Sequence, residues 1–160
     1  IARRRPDALF ISALAPDVAK VMKAARRMPA LRTVPFIGGN ALNAPRLIEQ
    51  AGRAAEGAIS GAAWIETEDT PGNAAFVAAH RARFGRTPDQ FAAQAYTGVK
   101  LLAEALRRAG TTDPRAVRDA LAGLRDVDTV LGPFSFDANR EPQYEPVVQQ
   151  IRGGRYVQIG

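Results

Sequence analysis

PDALFISALAPDVAKVMKAARRMPALRTVPFIGG, residues 6–39, reads as a strand, a helix and a second strand in succession. Pro6-Asp7 supplies turn chemistry, and the apolar run from Ala8 to Ala13 has the length and composition of a buried strand. Asp17 can cap or charge the first turn of the helix that follows. In it Val18, Val21, Met22, Ala25 and Met28 recur at helical spacing until Pro29 forbids continuation. Val34-Pro35-Phe36-Ile37 is the second strand, and Gly38-Gly39 lets the chain turn sharply at its carboxyl end.

The same alternation continues downstream. Pro45 opens a short helix that runs to Ala51 and is closed by Gly52, and residues 57–65 read as a third strand. Strands and helices alternating through short connections imply parallel pairing with right-handed crossovers, so the fold class is α/β. From residue 71 the pattern changes. Residues 71–84 predict one helix ending at Gly85, and residues 89–109 a long one ending at Gly110, with Ala95, Val99, Leu102 and Leu106 on one apolar stripe. Asp113-Pro114 starts a third, through Val117, Leu121 and Leu124. Three helices with no strand between them point to a different layer or lobe. Short strands are then expected at 133–137, 146–151 and 155–159, the last two joined at Gly153-Gly154, a strong hairpin signal.

Composition narrows the function. At 160 residues and 46% hydrophobic the chain can bury a real core, so one ordinary globular domain is the starting expectation. The absence of cysteine excludes a disulfide framework, a thiolate metal site and a cysteine nucleophile together. No apolar run is long enough to span a membrane. The net charge of +6 and pI near 10.5 would suit a polyanionic partner, but the basic residues read as scattered over helix faces and ends. The densest run, Arg3-Arg4-Arg5, has no aromatics interleaved to stack bases, so no nucleic-acid partner is expected. Ile1 is no initiator, and upstream residues, including any signal peptide, are expected to be missing.

Candidate catalysts are few. His80, the single histidine, lies in a polar stretch and reads as a solvated helix residue. Too few ligands exist for zinc. Residues 137–141 loosely follow a calcium loop, but Pro142 stands where the loop needs glycine and Val148 where it needs glutamate, so a turn is expected. Glu66, Glu68 and Asp69 near Trp64 are enough for an acid and base pair, yet acidic residues after a strand ordinarily cap or stay solvated. Gly38-Gly39-Asn40 lacks both the dinucleotide fingerprint and a Walker lysine. Neither an enzyme nor a cofactor or metal site is expected.

Several segments together resemble one family: FIGGNAL at 36–42, AAEGAISGAAW at 54–64, FGRTPDQFAAQAYTGVKLLAEALRRAG at 84–110, VLGPFSFDANRE at 130–141 and VVQQIRGGRYV at 147–157, with residues 6–26 before them. In that order and spacing they are similar to the type I periplasmic binding proteins of the leucine, isoleucine and valine kind. The resemblance implies two Rossmann-like lobes with parallel sheets flanked by helices, joined by three hinge crossings. Residues 1–65 would be part of the C-terminal lobe, 66–130 a helical part belonging to the N-terminal lobe, and 131–160 the return to the C-terminal lobe. It implies the periplasmic solute-binding component of an ABC importer, with a small-molecule solute and a membrane permease as partners. The same fold used as a ligand-sensing receptor or regulatory domain is the alternative. The helices over 71–124 would then present an apolar face normally covered by the remainder of their lobe.

The resemblance also names a cleft. Leu14 stands where the amino acid binders carry an aromatic side chain, with Ser12 and Ala13 beside it. Asn40 stands where they carry a glutamate that accepts the ligand ammonium, and Phe91 matches an apolar wall residue. Such strand ends and helix starts are where open α/β sheets place ligands. A neutral Asn40 cannot balance a desolvated ammonium, so a carboxylate, an amide or a small aromatic acid is expected ahead of zwitterionic leucine. The structural alternatives are Leu14 as core filler, Asn40 as a left-handed turn residue and Phe91 as a helix anchor.

Overall fold

The first strand, β1, is confined to Leu9–Ile11 in the computed structural model, which describes residues 1–159. Ser12 and Ala13 leave the sheet because helix α1, Ala15–Arg27, follows at once with Leu14 as its N-cap. Pro16 fits there, since a first-turn proline has no needed N–H to lose. Helix α1 buries Val18, Ala19, Met22 and Ala25 and stops at Met28, held extended by the proline after it. Strand β2, Phe36–Gly38, helix α2, Pro45–Ala51, and strand β3, Ile59–Ala62, complete the alternation. β1 pairs parallel with β2 and β2 with β3, as the short crossovers imply. Gly52, at φ 56, closes α2, a backbone region where glycine carries little penalty.

Arg26 fastens the return from α1 to β2. Its Nη1 lies 2.7 Å from the Val34 carbonyl and 3.1 Å from that of Arg32, and its guanidinium sits 4.0 Å from the Phe36 ring centroid. Partial burial lowers its pKa from the ordinary value, but a guanidinium stays charged at neutral pH. The cation therefore ties the end of α1 to the carbonyls of the connection that leads into β2.

Two compact units share the chain: Ile1–Ile65 with Pro146–Gly160, and Glu66–Glu145. In the second, helix α3, Asn73–Phe84, is anchored by Asn73, whose amide donates to the Glu66 carbonyl at 3.3 Å and the Glu68 carbonyl at 2.7 Å. Helices α4, Gln90–Ala109, and α5, Pro114–Ala122, pack against one another. Asp89 caps α4 by accepting from the Ala92 amide at 2.9 Å, and Asp113 caps α5 from two amides. Asp89→Ala is expected to cost about 1 kcal/mol in a thermal melt, and Asp89→Ser to recover most of it, because only a side-chain acceptor is at stake.

The apolar stripe read on α4 is turned outward: Val99 is 68% exposed and Leu102 half-exposed. What α4 buries is Gln90, Ala93, Thr97, Leu101 and Ala105, the smaller face. Strands β4, Val127–Thr129, β5, Gly132–Phe136, and β6, Pro142–Gln143, then form a three-stranded antiparallel sheet within this unit. Only β5 was expected. Asp137 accepts from the Asn139 and Glu141 amides at 2.8 Å each, so its loop is a hydrogen-bonded turn. The chain re-enters the first unit at Pro146, not near residue 131, because β5 is paired on both sides to strands of the second unit.

Strands β7, Val147–Arg152, and β8, Arg155–Gln158, finish the first sheet in the order β1-β2-β3-β7-β8, with β7 antiparallel to β3. One face buries Ile11, Phe36 and Ile151 together with Met22, Leu42 and Leu47. On the other, register aligns Phe10, Ile37 and Ile59, and Phe10 is 72% exposed. Among the described residues no helix is long and apolar enough to cross a membrane.

Candidate functional site

Parallel strands release their following loops at one end of the sheet, so Ser12-Ala13-Leu14 after β1 and Gly39-Asn40 after β2 emerge side by side, directly beyond the paired Ile11 and Gly38. All five are exposed. Leu14 caps α1 through its backbone, its carbonyl accepting from the Asp17 and Val18 amides, while its side chain is 75% exposed. It is not core filler. Asn40 opens a 3-10 turn, Asn40–Asn43, and its φ is not positive, which sets aside the left-handed turn reading. Phe91 lies in the second unit, 45% exposed in the first turn of α4. Ser12, Ala13, Leu14 and Asn40 thus share one strand end, and Phe91 belongs to a separate body.

The Asn40 turn is rigidly supported from below. Asn43 at its far end is buried, donates through Nδ2 to the Gly61 carbonyl at 2.8 Å and accepts from Gln149 Nε2 at 2.9 Å. Gln149 Nε2 also lies 3.4 Å from Ser60 Oγ. The Tyr156 hydroxyl sits 2.6 Å from the Leu42 carbonyl and 3.0 Å from that of Ala44. Gly38 lets Leu42 close over the strand: a Cβ there would lie 2.7 Å from the Ile11 carbonyl and 2.7 Å from Leu42 Cδ1. Asn43 and Gln149 are buried, Tyr156 is half-buried, and together they brace the turn that Asn40 opens.

Sequence reasoning missed this support. Its one signal is Gln149, which alternates with Val147 and Ile151 and so must face inward with them. A buried amide at an inward position needs partners, and the partners are 89 and 106 residues away.

Chemically the strand end offers no unpaired carboxylate near Asn40 in the chain. Asp17 is paired with Lys20 at 3.1 Å, Arg46 sits in the first turn of α2, and no carboxylate adjoins Asn40 in the chain. The exposed amide can both donate and accept, which suits recognition of a polar solute. Elsewhere, Glu66 is ion-paired with Arg81 at 2.7 Å, and His80 Nδ1 is 3.0 Å from the Arg86 carbonyl with its ring between Phe76 and Phe84. Trp64 is buried, and the Tyr96 ring lies tilted against Phe76 with ring centroids 4.8 Å apart. Among the described residues no group of three or more His, Asp or Glu could hold a metal ion.

Comparison with known proteins agrees with this architecture. The family model described as periplasmic binding protein matches residues 1–155. The Leu/Ile/Val-binding protein homolog 2 of Brucella abortus is 34% identical over 113 residues, covering 71% of this chain and 30% of that protein. A leucine-binding protein, LivK, of Thermotoga maritima superposes with a TM-score of 0.89 at 25% identity, over 97% of this chain and 44% of its own. The branched-chain amino acid transporter substrate-binding protein LivJ of Streptococcus pneumoniae, solved with isoleucine, gives 0.83 at 27% identity, over 96% of this chain and 45% of its own. The chain therefore spans less than half the length of each of these three proteins.

Proposed function

This chain belongs to the periplasmic binding protein family, and we propose that it forms part of the solute-binding component of an ABC importer. The observation that carries the reading is the exposed and internally braced strand end at Ser12 to Leu14 and Asn40. On this reading the first unit is part of the C-terminal lobe and the second contributes to the N-terminal lobe. Solute binds in a cleft between lobes, where contacts present only in the closed state shift the hinge equilibrium toward closure. The closed form in the periplasm is what a membrane permease engages. Catalysis is not part of it.

The solute class follows from Asn40. Relatives that match this chain carry names for leucine, isoleucine and valine, and the resemblance places a glutamate at this position to receive an ammonium. An amide offers no charge to offset a desolvated cation. It can donate to a carboxylate and accept from an amide N–H, and the solute is a small carboxylate or amide-bearing molecule.

Thermal denaturation of the full-length protein tests this directly. Stabilisation by aliphatic or aromatic carboxylates or amides, without stabilisation by leucine, is expected, and Asn40→Glu is expected to weaken it at least tenfold in apparent affinity. Leucine stabilising the wild-type protein would remove the ammonium argument. No response to any amino acid, amide or carboxylate would remove the solute-binding reading itself.

A further inference from the structure

The net charge of +6 is not shared between the two units. The first carries twelve Lys and Arg against four Asp and Glu, a formal +8, and the second ten against twelve, a formal −2. Topology concentrates the excess further. In a parallel sheet every strand begins at the same end, so the connections leading into β1, β2 and β3 converge there. Arg3, Arg4 and Arg5 precede β1, while Arg27 ends α1 and Arg32 leads into β2. Arg53 lies in the 3-10 turn before β3. Because β7 runs antiparallel to β3, its end reaches this pole too, adding Arg152 and Arg155 on either side of the Gly153-Gly154 turn.

These eight arginines are exposed, and none is in an ion pair among the described residues. The acids at this end are Asp7, Glu49 in the last turn of α2 and Glu56, and the Glu56 carboxylate is engaged by the Gly153 amide at 2.6 Å and the Gly154 amide at 3.3 Å. The sequence reading of scattered basic residues is therefore incorrect for this unit, because residues far apart in the chain meet at one pole.

We propose that the strand-start pole of the first unit docks on an anionic lipid bilayer through its phosphate headgroups. Guanidinium groups match phosphate oxygens two at a time, and clusters of about four to eight basic side chains are what anionic membrane surfaces recruit. The arginines are spread over four connections, which suits an array of phosphates in a plane more than one small anion. Those connections contain no aromatic residue to stack a base, which sets nucleic acid aside. The pole lies at the opposite end of the sheet from Asn40, so docking leaves the strand-end site of this unit uncovered.

The test is cosedimentation of the full chain with vesicles of phosphatidylcholine alone or mixed with phosphatidylglycerol. Binding to the mixed vesicles only, weakened by high salt, is expected. Replacing Arg4, Arg32, Arg53 and Arg155 by Gln should weaken it on the order of a thousandfold. Replacing Arg83, Arg86, Arg115 and Arg118 of the second unit by Gln should leave it unchanged. Equal binding to both vesicle types, a four-arginine variant that binds like wild type, or retention by single-stranded DNA without retention by anionic vesicles overturns the proposal. Solute-dependent thermal shifts measured on the same variants are expected to be unaffected, so a failed docking result and a failed solute result are read separately.

Discussion

Gly38→Ala is expected to lower the stability of the first unit by about 3 kcal/mol, among the largest effects of adding one methyl group anywhere in this chain. The new Cβ would fall 2.7 Å from the carbonyl oxygen of Ile11, which belongs to the neighbouring strand and is fixed by the ladder. It would also fall 2.7 Å from Leu42 Cδ1, and Leu42 is among the most deeply buried side chains, with little room to retreat. Either the β1–β2 pairing spreads or the 3-10 turn lifts off, and lifting it carries Asn40 away. Gly61→Ala, where a Cβ meets nothing within 4 Å, is the matched control and should stay within about 0.5 kcal/mol of wild type. Urea denaturation reads both. A Gly38→Ala variant as stable as Gly61→Ala would mean that the close approach of Leu42 is not a constraint.

Breaking the buried amide network gives the second large effect. Asn43→Leu removes the donor to the Gly61 carbonyl and the 2.9 Å acceptor of Gln149 Nε2, leaving that buried amide only the long 3.4 Å contact with Ser60 Oγ. A cost of about 2 kcal/mol is expected, since a buried amide that loses its shorter hydrogen bond recovers little of its desolvation energy. Gln149→Met is expected to cost a similar amount for the same reason. The double variant should cost clearly less than the sum, by about 1–2 kcal/mol, because each single change strands a partner that the double change removes. Additive losses in a denaturant-melt cycle would show that the two amides act independently. In either single variant the Asn40 turn loses a brace, so solute response is expected to fall more than the change in melting temperature alone explains.

Much of the first unit is legible residue by residue. Pro29, Pro45, Gly52 and Gly153-Gly154 act locally through fixed φ, missing donors or positive φ, and those boundaries are where the sequence puts them. Strand lengths are not local in the same way. Residues 57–65 are apolar enough for a strand, but only Ile59–Ala62 pairs, and Trp64 and Ile65 are buried beyond it. Strands β4 and β6 were invisible because three and two residues carry no periodicity, and β6 contains Pro142, which argues against a strand. The outward stripe on α4 misled for another reason: periodicity marks an apolar face without saying what covers it.

The candidate site divides along the same line. Leu14 and Asn40 were found because strand ends in an α/β sheet are a rule of position. Asn43, Ser60 and Gln149 were not, since their identity as a set exists only once β3 and β7 are side by side. The arginine pole has the same origin. Single residues separated by a helix or by the whole second unit carry no local pattern, and the register alone gathers them.

The first unit is discontinuous, and this has a consequence for biosynthesis. When β3 leaves the ribosome its β7 edge is open, and it stays open while all of Glu66–Glu145 is translated. The second unit has its three helices and its small antiparallel sheet in one uninterrupted stretch, so its contacts can form as it emerges. The nascent first unit meanwhile holds three parallel strands with an apolar row, Phe10, Ile37 and Ile59, beside an unpaired edge, the kind of surface that recruits other chains. Passage through that interval depends on how quickly translation reaches Val147, which makes synthesis rate and chaperone supply determinants of yield for a chain whose finished sheet has no such gap.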